Sequence, residues 1–336
     1  MAMKVQSMAD PNNLRLSQVL TDVFSRWWLL VLTIVVALFY GTVEPAFFQV
    51  SNLLGVLSNA CLAAIAGCGL TCVMATGEVD FSAGSAMTIA ACTMTVLLNS
   101  QVIESYVVAM LIGLLAAAVM GAFNAFLHLK IGIPAFLATL SSSLVVKGIA
   151  QFMTKGTTIQ RGLWDSEVYT FLGQHYVLGI FPMPFVIMAC VGALVLFLME
   201  FTKIGCILFA IGSNQTACNY LGINTRKFKL IAFILSATMC GISGIVQASL
   251  SNGAGPLMAE SYQLLAVMVT VMGGTFLKKG VFNVPGTLLA AILVTMVSNG
   301  MIMMEAATWI KYLVEGIMLV CSVIIVTLMR RRAERV

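Results

Sequence analysis

The sequence predicts an all-α polytopic membrane protein of about ten transmembrane helices, with broken or re-entrant segments among them. Three observations carry that prediction. Of 336 residues, 60% are hydrophobic and only 9% are charged, the mean hydropathy is +1.01, and long apolar runs recur from Trp27 to Met329. A water-soluble globular domain does not reach such values. A spanning helix needs roughly 20 mostly apolar residues, because each rises about 1.5 Å through a hydrocarbon core of about 30 Å. No length is left for a sizeable soluble domain.

Runs of the required kind lie at about 27–43, 52–76, 84–100, 106–129, 134–153, 181–201, 228–249, 261–277, 283–304 and 309–329. Residues 1–26 precede them as a cytoplasmic N-terminal segment, 27–329 form the transmembrane domain, and 330–336 form a basic tail. In the first segment Leu16, Val19, Leu20, Val23 and Phe24 recur at helical spacing. That stripe fits either a helix lying on the inner membrane surface or an extension of the first span. No small-residue cleavage site follows the first apolar run, so that run is expected to stay as an anchor.

Charge sets the orientation. With both termini in the cytoplasm, fourteen of the eighteen Lys and Arg residues fall inside, including Lys4, Lys130, Lys203, Arg226, Lys227, Lys229, Lys278, Lys279 and Arg335. Lys147, Lys155, Arg161 and Lys311 fall outside, beside Glu44, Glu104, Asp165, Glu167, Glu260 and Glu305. Localisation in a membrane crossed many times is the expectation.

The net charge of +5 is spread over short loops rather than gathered on one face, so nucleic acid is not an expected partner. The nine cysteines show neither CxxC spacing nor a histidine cluster, which predicts free thiols and no metal site. His128 and His175 lie too far apart in sequence and depth to form a pair. No Ser/His/Asp or HExxH arrangement supports an intramembrane enzyme.

Two segments depart from plain spanning helix. Residues 75–85, ATGEVDFSAGS, set Glu78 and Asp80 between spans beside Ser82 and Gly84; residues 252–282 carry five glycines and a proline around a short apolar run. Irregular backbone at membrane depth survives only where protein or a water-filled cavity satisfies its polar groups, so both segments are candidates to line a path. Asp80 and Ser82 suit side-chain to backbone hydrogen bonds that hold a bend. Loop 202–229 is basic without acidic residues and is expected to dock a cytoplasmic partner. Within it Gly205, Gly212 and Gly222 permit turns, Asn214 suits the N-cap of a short helix, and small Ala217 allows close approach. The outer loop 154–179, with Lys155, Arg161, Trp164, Asp165, Glu167 and His175, is either a docking surface or a solvated loop.

Four motifs, in order, resemble one family. TGEVDFSAGS, IPAFLATL at 133–140, FAIGSNQTACNYLGI at 209–223, and VMGGTFLKKGVFNVPGTLLAAILVTMVSNGM further on are similar to elements of the permease subunits of bacterial ABC importers for ribose, xylose, galactose and related sugars. The likeness covers about residues 50–325. It departs from the family at Glu78, where glycine or another uncharged residue is usual.

The resemblance implies a non-enzymatic permease of the bacterial inner membrane that pairs with a second copy or a paralogous permease, receives a small sugar from an extracytoplasmic binding protein, and couples through residues 212–222 to separate ATPase subunits. The chain has no Gly-X4-Gly-Lys-Ser/Thr loop, so ATP and Mg belong to the partner ATPase and no cofactor is expected here. A neutral polyol calls for hydrogen-bonding groups and apolar or aromatic faces. By position the path candidates are Asn59, Asn124, Phe136, Thr139, Tyr262 and Asn299, each of which equally suits helix packing. The alternative class is an ion-coupled secondary transporter with Glu78 and Asp80 as ion ligands.

Overall fold

A computed structural model describes residues 11–160, 167–278 and 280–333. Lys4, Arg161, Trp164, Asp165, Lys279 and Arg335 lie outside the described residues. The fold is almost entirely helical. In chain order the helices are α1 (Pro11–Val43), α2 (Val50–Ala75), α3 (Ala83–Asn99), α4 (Tyr106–Phe126), α5 (Ala135–Thr154), α6 (Glu167–Gln174), α7 (Met183–Phe201), α8 (Lys203–Tyr220), α9 (Thr225–Leu250), α10 (Tyr262–Gly273), α11 (Val284–Met303) and α12 (Thr308–Ala333). Helix α1 is continuous from Pro11 to Val43.

Seven described helices are long and apolar enough to cross a membrane, and three shorter apolar stretches, Trp27–Val43, Ala83–Asn99 and Tyr262–Gly273, complete the bundle. One expected span is corrected by this. The run at 261–277 is a helix of only 12 residues, about 18 Å long, against a core of about 30 Å. Apolar composition marked it, but Gly273 and Gly274 end the helix and the chain turns through 274–283. The outer loop likewise contains α6 and a two-residue hairpin, Tyr176–Val177 against Phe181–Pro182, because Tyr169 is buried and ties the loop to the bundle.

Helices α2 and α9, both 26 residues long, form the centre. They are antiparallel: Ser243 Oγ donates to the Leu62 carbonyl at 2.7 Å, Cys240 Sγ faces the Ala66 carbonyl, and Gly69 lies against the backbone of Ser236. The residues that meet here, Ala66, Gly69, Ser236, Cys240 and Ser243, are small and let the backbones approach. Each central helix is followed by a non-helical break, a shorter helix and another long helix. Helix α2 packs on α10 and α11 as α9 packs on α3 and α4. The result is an inverted repeat, a plan in which discontinuous helices place their ends inside the bundle.

The two short helices, α3 and α10, begin at the same place. A Cβ on Gly84 would collide with the Ala259 carbonyl oxygen and lie 3.1 Å from the Gln263 nitrogen. From there α3 runs toward one end of the bundle, where Cys92 Sγ faces the Gly255 carbonyl. Helix α10 runs to the other end, where Lys278 pairs with Glu200 of α7.

Candidate functional site

The segment between α7 and α9 is more ordered than its loop-like sequence suggests. Helix α8 breaks at Asn214, whose backbone is extended (φ −158°, ψ 92°), and Asn214 Oδ1 accepts the Ala217 N–H at 2.9 Å, capping a second short helix. That helix ends in a Schellman arrangement, in which Ile223 N–H donates to Cys218 O and Gly222 N–H to Asn219 O. Gly222, at φ +75°, supplies the left-handed turn. Asn219 Oδ1 also accepts the Thr225 hydroxyl at 2.8 Å, fixing the short helix to the start of α9. At its tip Tyr220 and Leu221 are 88% and 78% exposed. Gly205 packs against the Met199 backbone where α8 leaves α7, and Gly212 lies against Ala75 and Gly77, where the 76–82 bend starts.

An ion cluster joins the same two segments. Lys229 Nζ contacts Glu78 Oε1 at 2.5 Å and Gln215 Oε1 at 2.8 Å, while His128 Nε2 faces the same Glu78 oxygen at 3.2 Å. The other His128 nitrogen faces the Ile133 carbonyl at 2.9 Å. Lys229 is 3% exposed, a correction to its expected place as a loop cation: it lies inside α9, with Glu78 and Gln215 as its acceptors. The hydrogen bond from His128 and then the Lys229 ammonium hold the Glu78 pKa down, from the usual 4.5 to about 2, against the partial burial that opposes them.

Because the folded pKa of Glu78 lies below its ordinary value, its contribution to stability is complete above about pH 4.5 and is lost as pH falls toward about 2. Glu78→Ala should therefore cost about 3 kcal/mol at neutral pH, since it leaves Lys229 buried and uncompensated. Pairing it with Lys229→Met should restore most of the loss. Thermal unfolding in detergent checks both statements, and the gap between wild type and Glu78→Ala should close as the pH is lowered through that window.

Asp80 is 1% exposed and fully engaged. Its Oδ1 accepts the Ser82 N–H at 2.8 Å and the Ser82 hydroxyl at 2.6 Å; its Oδ2 accepts the Ser236 hydroxyl from α9 at 3.0 Å. Asn124 of α4 donates to Ser82 Oγ at 2.9 Å. On the next residue, Phe81 N–H donates to Thr139 Oγ1 of α5 at 3.1 Å. The bend is thus held from α4, α5 and α9 together. Both carboxylates that an ion-coupled carrier would use as ligands are already taken up by protein donors.

The family described as "Branched-chain amino acid transport system / permease component" matches residues 52–323. The chain belongs to this permease family. It is a membrane component of a transporter and not itself an enzyme. Over at least 90% of its length it is also similar to three curated permeases. Against the ribose import permease protein RbsC of Escherichia coli (strain K12) it is 27% identical over 308 residues, 90% of this chain and 95% of the relative. RbsC of Haemophilus influenzae is 29% identical over 318 residues, covering 94% and 96%. The L-arabinose transport system permease protein AraH of E. coli (strain K12) is 27% identical over 307 residues, covering 90% and 91%.

Within this permease the six path candidates are scattered. Asn124 and Thr139 are buried and hold the bend. Asn59 is exposed and donates to Gly55 of its own helix at 3.0 Å, and Asn299 donates to Asn52 at 2.8 Å. Phe136 is exposed on α5, and Tyr262 is half-buried at the start of α10. None of the six is among the residues lining a cavity of about 320 Å³ where α3, α5 and the 256–263 segment meet. Of the bend residues only Gly84 reaches it. Reading the sequence missed Ser85, Lys147 and Gln263 there, and missed Gln215, His128 and Ser236 in the clusters. Small polar residues in apolar spans give no signal of which neighbour they will meet.

Proposed function

We propose that this permease is the membrane-spanning subunit of an ATP-driven importer of a small sugar. Both termini face the cytoplasm in this reading, a separate ATPase binds ATP and Mg, an extracytoplasmic binding protein delivers the solute, and a second permease copy or a paralogue completes the pathway. One observation carries it: a capped short helix presents Tyr220 and Leu221 to solvent while Gly212 at its base packs against the start of the bend between α2 and α3 and Gln215 reaches Glu78 of that bend through Lys229. Such an element turns a push on its tip into movement of the bend. The pentose permeases among the relatives support the solute class.

In proteoliposomes with ATP enclosed, uptake should require that ATP, a separate ATPase and an external binding protein. Uptake driven by an ion gradient alone would refute the reading. Exposed Ala217 lies on the same short helix, so Ala217→Glu should reduce co-purification of the ATPase and lower uptake at least tenfold, without changing the yield of membrane-inserted permease. Undiminished ATPase binding would place the docking surface elsewhere.

A further inference from the structure

The cavity where α3 and α10 begin has features of a built site. Ser85 is 9% exposed, and among the described residues no hydrogen-bond partner faces its hydroxyl, which opens into the cavity. Gln263, half-buried at the start of α10, lines the same space with its side-chain amide similarly unengaged. Thr88 is different, since its hydroxyl donates to Gly84 O at 2.8 Å. On the rim Lys147 and Glu260 pair at 2.7 Å, which leaves two ammonium protons and one carboxylate oxygen free and makes the lining neutral in sum.

Two further observations fit a ligand. The N-termini of α3 and α10, helices of 17 and 12 residues, converge on the cavity, and their N–H groups and dipoles favour oxygen atoms there. The cavity volume of about 320 Å³ lies at the lower end of the roughly 300–1,000 Å³ common for small-molecule sites. A second hollow of about 460 Å³, lined by Thr158, Gln160, Gln247 and Ser251, shares Pro256 and Leu257 with it and leads toward the end of the bundle opposite α8.

Resting on the functional reading above, we propose that this cavity is a transit site for a neutral polyhydroxylated solute, with Ser85, Gln263 and the Lys147–Glu260 pair bonding its hydroxyl groups. A charged solute has no matching countercharge there. Leu144 and Leu257 supply the apolar faces against which the carbon skeleton of a sugar packs.

The test uses the permease reconstituted with its ATPase and binding protein in liposomes loaded with ATP, with radiolabelled D-ribose or L-arabinose as the probe. The double variant Ser85→Ala/Gln263→Leu should take up sugar at least tenfold more slowly than wild type while ATPase stimulation by the loaded binding protein stays within twofold. Uptake within twofold of wild type overturns the proposal. If the double variant does not assemble, Ser85→Cys serves instead: alkylation from outside should abolish its uptake and leave that of wild type unchanged, and full uptake after complete labelling overturns the proposal. A wild-type complex that shows no ATP-dependent uptake of D-ribose, L-arabinose, D-xylose or D-galactose overturns the functional reading itself, and the cavity assignment falls with it.

Discussion

Replacing Asp80 by alanine is expected to destabilise the protein by roughly 3–5 kcal/mol, the largest effect of any single polar substitution considered for the bend. Three donors, the Ser82 N–H, the Ser82 hydroxyl and the Ser236 hydroxyl, lose their acceptor in a site that is 1% exposed. A buried donor left unsatisfied costs about 1–3 kcal/mol, and the hydroxyls recover part of that by rotating to nearby carbonyls. Asp80→Asn keeps one acceptor oxygen, so about 1–2 kcal/mol is expected for it. The ranking wild type, Asn, Ala in thermal unfolding of the detergent-solubilised protein checks this. Equal melting of all three would mean that the bend is held by its α4 and α5 contacts, from Asn124 to Ser82 and between Phe81 and Thr139, without Asp80.

Gly212→Val should abolish transport while leaving the ATPase attached. Any Cβ at position 212 meets the Ala75 carbonyl oxygen, a backbone atom that cannot swing aside as a side chain does. The base of the short helix must therefore move away from the bend, at a stability cost of about 1–3 kcal/mol, as in other overpacked contacts. Tyr220 and Leu221 remain exposed at the tip, where the proposed docking surface lies. Uptake is expected to fall at least tenfold with co-purification of the ATPase unchanged. Uptake within twofold of wild type would show that motion reaches the membrane by another contact.

The two predictions bear on different links of one chain of contacts. Gly212 packs against the near end of the bend, and Gln215 holds Lys229, which pairs with Glu78 within it. Asp80 and Ser82 anchor the middle, and Gly84 closes against the start of α10 beside the cavity. A displacement at the tip of the short helix therefore has a continuous packed route to the proposed solute cavity.

Much of this was legible in residues read one neighbourhood at a time. Asn214 three positions before Ala217, and Gly222 after Tyr220 and Leu221, mark a short capped helix through chemistry that spans fewer than ten residues. The glycines and the Asp-X-Ser spacing in 75–85 likewise mark a bend. Glu78 was conspicuous as a charge in a place where the resembled family has none. Its meaning was not legible, because Lys229 lies 151 residues away and counted equally well as a solvated loop cation. The run at 261–277 was apolar enough for a span, and its 12-residue length became clear only from the turn that follows it.

The sequence by itself determined that this protein is a bundle of membrane helices, about how many there are, and where helices are capped and broken. Those properties depend on a bilayer thickness that sets helix length and on hydrogen bonds between near neighbours in the chain. Tertiary structure alone decided that α2 and α9 lie antiparallel at the centre, that α3 and α10 start from one point, and that Asp80 meets Ser236 and Glu78 meets Lys229. Helix faces made of Ala, Gly, Ser and Cys offer many registers of similar packing energy, so local patterning leaves the partner open. Only the assembled bundle, in which every buried polar group must find its own acceptor or donor, selects one register and with it the cavity.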